Sequence, residues 1–198
     1  EALIYFNKGI EKLGSVDEGD AVMDFDPDEI ERKNSHHAAL ASLETSRGKL
    51  NLIDTPGISN FLCDTEVACR VVDGALIVIG AAGGVKYDTE RVWKYAEENQ
   101  LPRRVVGTER DKERADFEKL LANYEEIFGA RPTPLQWPIG SESSFRGTVD
   151  LLRMKALIFA EDGSGKEKIE DIPAEMLDAA QKAREALVES VAESDDNL

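Results

Sequence analysis

Residues 49–61 read Lys-Leu-Asn-Leu-Ile-Asp-Thr-Pro-Gly-Ile-Ser-Asn-Phe. The apolar run 50–53 ends in Asp54, and Thr55, Pro56 and Gly57 then turn the chain before what reads as a helix. In open parallel sheets ligands bind just beyond the carboxyl ends of the strands, so chemistry is expected here. A carboxylate at such a point can hold a magnesium ion, usually through water, and a glycine amide can approach a phosphate oxygen without side-chain obstruction. The same residues also suit a plain strand end, with a Pro-Gly turn that Asp54 merely caps. These residues alone leave both readings open.

Working outward, two more β-rich runs stand out at 75–79 and 104–107, with helical periodicity between and after them. Residues 89–100 place Val92, Tyr95 and Ala96 on one side, and Pro102 blocks continuation. Residues 116–128 set Phe117, Leu120, Leu121, Tyr124, Ile127 and Phe128 at three- and four-residue steps, a buried stripe closed by Gly129. Strands alternating with helices predict right-handed βαβ units and a parallel sheet covered on both faces. The character changes near Pro132. A short mixed region follows at 149–159, then a polar turn, and a helix from Pro173 to about 196 with Met176, Leu177, Ala180, Leu187, Val188 and Val191 on one face.

Composition bounds the function classes. The chain has 198 residues, 41% hydrophobic and 32% charged, the balance of a soluble globular protein. The longest apolar run, 74–82, is too short to cross a bilayer and reads as a buried strand, so no membrane role is expected. The start, residues 1–14, reads as an amphipathic helix already under way, not as a secretory signal. Cys63 and Cys69 are six apart, a spacing that suits neither a zinc knuckle nor a redox pair; ordinary cytoplasmic thiols are expected. The formal net charge of −16 repels phosphate backbones, so direct nucleic-acid binding is not expected, and a basic protein partner is favoured.

Across DEGDAVMDFDPDEIERKNS, LNLIDTPG, VVDGALIVIGAAGGV, DKERADF, PLQWPIG, FRGTVDLLRMKA, DIPAEML and ESVAESDD, in that order, the chain resembles the GTP-binding domain of translational GTPases of the elongation factor G family, closest to its paralogues of the second type. The resemblance implies a three-layer phosphate-loop NTPase-type fold with a mostly parallel sheet, truncated, carrying part of an inserted α+β subdomain. Residues 1–137 would be the partial GTP-binding core without its phosphate loop, and 138–198 the partial inserted subdomain. It further implies GTP or GDP with Mg²⁺ as cofactors, the ribosome as partner in translocation, and a cytoplasmic location.

Carried over by position, Asp54 would support the magnesium, with Ser35 standing where the first switch usually has a magnesium-binding threonine. Thr55, Pro56 and Gly57 would belong to the nucleotide-binding turn, Gly57 giving its amide to the γ-phosphate. Asp111 would pair with the guanine edge. A carboxylate facing two N–H donors selects guanine, because adenine lacks that donor pair.

The departures from the family pattern matter equally. The phosphate loop would end immediately before Glu1, so this chain is expected to be inactive alone. The base-reading N-K-x-D is Thr108-Glu109-Arg110-Asp111, and the family's catalytic histidine position is Ile58, so no catalytic residue is assigned. An alternative therefore stands beside the GTPase: a degenerate homologue acting as a non-catalytic ribosome- or protein-binding module. In the family the inserted subdomain receives the ribosomal stalk protein, which the acidic C-terminal helix could steer; plain solvation explains the same carboxylates.

Other constellations read as structural. Adjacent His36 and His37 diverge and lack a third ligand, so a mobile loop is expected rather than a metal site. Gly83-Gly84 lacks dinucleotide-binding spacing, and residues 163–166 mimic half a phosphate loop without its strand and helix.

Overall fold

The computed structural model describes residues 1–7, 9–160 and 166–193. The elements run α1 (Ala2–Phe6), α2 (Pro27–Arg32), β1 (Ala39–Thr45), β2 (Gly48–Asp54), α3 (Leu62–Ala68), β3 (Ala75–Gly80), α4 (Tyr87–Glu98), β4 (Arg103–Thr108), α5 (Phe117–Phe128), β5 (Gln136–Ile139), β6 (Gly147–Asp150), β7 (Lys155–Phe159), β8 (Glu167–Glu170) and α6 (Leu177–Ala192). The fold is mixed α/β with a parallel sheet, the class expected of a GTPase domain.

The chain forms two compact units, one from Glu1–Ile77 with Tyr87–Val105, the other from Val78–Lys86 with Val106–Leu198. In the first unit β1 and β2 make an antiparallel hairpin, Ala39 opposite Asp54 and Thr45 opposite Gly48. The reading of residues 39–45 gave no strand there. Ala, Leu, Ser and Glu favour helix or neither state, and the strand exists because β2 supplies its ladder partner. Ile4, Met23, Ala39 and Leu43 form the core, with Ile10, Ala41 and Leu52 packed on it.

Helix α1 is far shorter than the 14-residue periodic run suggested. The Asn7 side-chain amide donates to the Leu3 carbonyl at 2.9 Å, and the Gly9 amide reaches back to the Ile4 carbonyl at 2.9 Å. Those two bonds cap the helix, and among the described residues no α-helical bond carries it further. Helix α2 starts cleanly: Asp26 accepts from the Asp28 amide, and Glu29 closes a capping box behind Pro27.

The β3 and β4 strands run parallel. The Ala75 amide donates to the Pro102 carbonyl at 2.9 Å and the Ala81 amide to the Thr108 carbonyl at 2.8 Å, so both strands advance together. The sheet is not covered on both faces as expected. Ile77 and Ile79 are buried at 4% and 2%, whereas Leu76 and Val78 are 57% and 59% exposed. Among the described residues β3 pairs only with β4, and β2 only with β1.

The second unit holds an antiparallel meander, β5-β6-β7-β8. Its core is Ile139, Val149, Leu151 and Ala156 packed on Ala180 and Leu187 of α6. The buried stripe of α6 is therefore Ala180, Ala183 and Leu187, with Met176 of the preceding turn packed beside it; Leu177, Val188 and Val191, expected on the same face, are exposed. A 3₁₀ turn, Ala174–Met176, intervenes after Pro173, so α6 begins at Leu177 rather than at the proline. The last residues of the expected helix, 194–196, lie outside the described residues, as do 163–165 of the mimic phosphate loop.

Candidate functional site

The turn after β2 is built from the side chains around it. Pro56 is fully buried, and its carbonyl accepts from the Thr65 hydroxyl of α3 at 2.9 Å. Ser59 donates to the Asp88 carboxylate of α4, fixing the far side of the turn. Gly57 stands in the open: a Cβ added there would meet nothing within 4 Å. Its backbone is thus accessible to a ligand, with no surrounding cradle. Ile58, next in line, is 40% exposed and carries no polar atom with which to orient water.

Asp54 ends β2. The residue is exposed overall, yet its carboxyl is desolvated enough that burial, first, and the like charge of Asp24, second, raise its pKa above the ordinary carboxylate value. Asp24 is a member of this site that the sequence reading did not single out. Ser35 is engaged with it: the Ser35 hydroxyl donates to Asp24 Oδ1 at 2.6 Å. The carboxylate oxygens of Asp54 and Asp24 are of the kind that hard divalent cations accept, and a cation beside them would relieve their repulsion. Among the described residues no group of three or more His, Cys, Asp or Glu side chains could hold a metal by itself.

Glu29 was missed as well. It is only 2% exposed, and its Oε1 accepts from the His36 and His37 amides at 2.8 and 3.0 Å. Oε2 takes the Asp26 amide at 3.1 Å. Burial pushes this carboxyl up, but the three amides outweigh it and hold the pKa below its usual value. The D-P-x-E pattern of a capping box was the available signal. The His36-His37 segment, expected as a loop, is anchored at its backbone by Glu29, and His36 is 8% exposed and stacks on Phe61 at 4.4 Å between ring centroids.

Thr108 ends β4, and Glu109, Arg110 and Asp111 follow it in the second unit. Glu109 takes a left-handed backbone (φ 55°), and its carboxylate lies against Gly80. Asp111 is exposed. Gly83 and Gly84 serve a turn: both amides reach the Gly80 carbonyl, at 3.1 and 3.0 Å, and Gly84 adopts φ 64° beside Asn123. Both cysteines are free, Cys63 exposed and Cys69 buried, burial pushing the Cys69 thiol up. Among the described residues no helix is long and apolar enough to cross a membrane.

The crystal structure of a protein from Thermus thermophilus superposes with a TM-score of 0.91 at 30% identity. The match covers 100% of this chain and 29% of that one. The family described as the elongation factor Tu GTP binding domain matches residues 1–194. The chain belongs to that family, the GTP-binding domain of translational GTPases.

Proposed function

We propose that this chain is the nucleotide-binding region of an elongation factor G-like GTPase whose parent binds GTP and GDP with Mg²⁺ and couples hydrolysis to ribosomal translocation. The observation that carries the reading is the Asp54–Gly57 turn: a desolvated carboxylate beside a second one at the end of β2, followed by an unobstructed glycine amide. In this reading Asp54 holds the magnesium, which when bound neutralises phosphate charge. Ser35, whose hydroxyl donates to Asp24, would share the magnesium with Asp54 through its oxygen lone pairs. Thr55 and Pro56 shape the turn, Gly57 donates its amide to the terminal phosphate, and Asp111 accepts from the guanine edge. Residues 1–137 act as the GTP-binding core and 138–198 as an inserted subdomain. The exposed carboxylates of Glu175, Asp178, Glu185 and Glu189 offer a ribosomal stalk protein an acidic face.

A second reading has specific support. The Glu109 carboxylate occupies the space over Gly80, and Ile58 replaces a polar group beside the turn. Both suit a homologue that has given up hydrolysis and serves as a ribosome- or protein-binding module. A fluorescence titration of labelled GDP and GTP with Mg²⁺ separates the two. Saturable, guanine-selective binding that is lost in both Asp54→Asn and Asp111→Ala supports the first; no binding at roughly millimolar nucleotide favours the second.

A further inference from the structure

Backbone strain gathers around the loop that carries Asp111. Among the described residues six that are not glycine adopt positive φ, and three of them, Glu109 (55°), Arg114 (66°) and Glu142 (51°), meet at this loop. A left-handed backbone is unfavourable for a residue with a Cβ, so it persists where surrounding bonds hold it. Inside the loop the Lys112 amide donates to the Glu109 carbonyl at 3.3 Å and the Ala115 amide to the Lys112 carbonyl at 3.2 Å. Ala115, 3% exposed, anchors the far end. Asp111 lies between and is exposed, so the loop backbone sets where its carboxylate points.

Glu142 grips this loop on both sides of Asp111, and all of these residues belong to the second unit. Its amide donates to the Arg110 carbonyl at 3.1 Å, and its Oε1 accepts from the Arg114 amide at 2.6 Å. The second bond is charge-assisted, shorter and stronger than a neutral one. Glu142 opens a 3₁₀ turn, Glu142–Ser144, between β5 and β6. That turn is itself fixed: the Ser144 amide donates to the Ser141 carbonyl at 2.9 Å and the Arg146 amide to the Ile139 carbonyl at 3.0 Å. Ile139 is 2% exposed, in the core of the meander. Gly140 (φ 80°) leads into the turn, where a Cβ would collide with the Ser144 carbonyl oxygen. The Asp111 loop is therefore tied to a rigid part of the meander through one glutamate.

We propose that Glu142 is a positioning residue for guanine selection, holding the 109–115 loop in the strained form that aims Asp111 at the N1–H and 2-amino groups of the base. The inference rests on the proposed role of Asp111 as acceptor for the guanine edge. Hydrogen bonds weaken steeply with misalignment, and a carboxylate takes both donors only when its two oxygens face both N–H groups. A loop freed from Glu142 turns that paired contact into one bond or none. Hypoxanthine, the base of inosine, lacks the 2-amino group and offers Asp111 one N–H. The preference for GDP over inosine diphosphate (IDP) therefore measures how well Asp111 is aligned.

Calorimetric titration of GDP and of IDP, each with Mg²⁺, into the full chain and into Glu142→Gly and Glu142→Gln tests this. Glycine takes a left-handed φ without strain and keeps the amide that donates to Arg110, so Glu142→Gly removes only the carboxylate tie and should fold. The unaltered chain should prefer GDP by about tenfold, the worth of one hydrogen bond to a charged group. In Glu142→Gly that preference should fall severalfold, GDP weakening more than IDP. Glu142→Gln keeps a carbonyl acceptor for the Arg114 amide and should keep most of the preference. A merely structural role would weaken both nucleotides alike; an unchanged ratio in Glu142→Gly therefore overturns the inference alone. Equal loss of the ratio in both variants overturns it too, because the acceptor would then not be what holds the loop. If the unaltered chain binds neither nucleotide, or both equally, the Asp111 reading itself fails and this inference falls with it.

Discussion

Asp54, partly exposed, and Glu29, buried, are two carboxylates whose environments push them in opposite directions. Three amides hold the Glu29 pKa below its ordinary value, so Glu29 contributes stability that is present above the unfolded carboxylate pKa and is lost as pH falls through the lower folded one. Glu29→Gln keeps one carbonyl acceptor but loses the charge and puts an amide N–H₂ among donors. It should cost about 2 kcal/mol at neutral pH, a typical figure for hydrogen bonds to a charged group. Urea melts at pH 7 and pH 3 check this: the gap between wild type and variant should shrink at the lower pH. Asp54 runs the other way. Its raised pKa means that its folded state is favoured below the ordinary carboxylate pKa and loses that advantage as pH rises through the folded value. At neutral pH without ligand, Asp54→Asn should raise the melting midpoint by roughly 1–3 °C, a modest figure because solvent screens a partly exposed group. An unchanged or lowered midpoint would mean that Asp54 is already compensated within the chain. Asp54 was legible from its place after an apolar strand. Asp24 and Glu29 were not, because their importance comes from burial and from amides that a linear reading cannot bring together.

Helix α5 shows how far local chemistry alone can carry an element. Its bounds were readable because every signal agreed: Asp116 caps by accepting from the Lys119 amide, the apolar residues recur at helical spacing, and Gly129 ends it at φ 64°. Asp116→Ala and Gly129→Ala should each cost about 1 kcal/mol, through a lost cap bond and a strained left-handed alanine respectively. The ends are remote from each other, so the double variant should lose the sum, measurable by denaturant midpoint at constant slope. Strand β1 is the opposite case. Its composition carried no strand signal, and only pairing with β2, Leu43 opposite Leu50, makes it one. Helix α1 was overestimated for a related reason: periodicity continued past the point where the Asn7 side chain took the Leu3 carbonyl. In α6 the period was right, but a helix that packs on one small sheet buries a narrower stripe than its apolar residues span.

At the scale of the whole chain, charge and apolar exposure oppose each other. The net charge of −16 makes copies repel at long range. Yet β3 shows Leu76 and Val78 on an open face, β1 and β2 show Leu40 and Leu50, and β2 and β3 each have only one strand partner among the described residues. Unpaired edges beside exposed apolar side chains are templates for further pairing. Repulsion should dominate at low ionic strength and keep the chain monomeric. At about 0.5 M salt the screening length falls below roughly 5 Å, short enough to expose the short-range attraction. Light scattering should then report concentration-dependent association, and Val78→Lys, which puts a charge on the open face of β3, should suppress it. Guanine nucleotide bound beside β2 would add to the repulsion and should not promote association. If association is absent at high salt, or if Val78→Lys leaves it untouched, the open strands are not the adhesive surface and the exposed leucines and valines are covered in some other way.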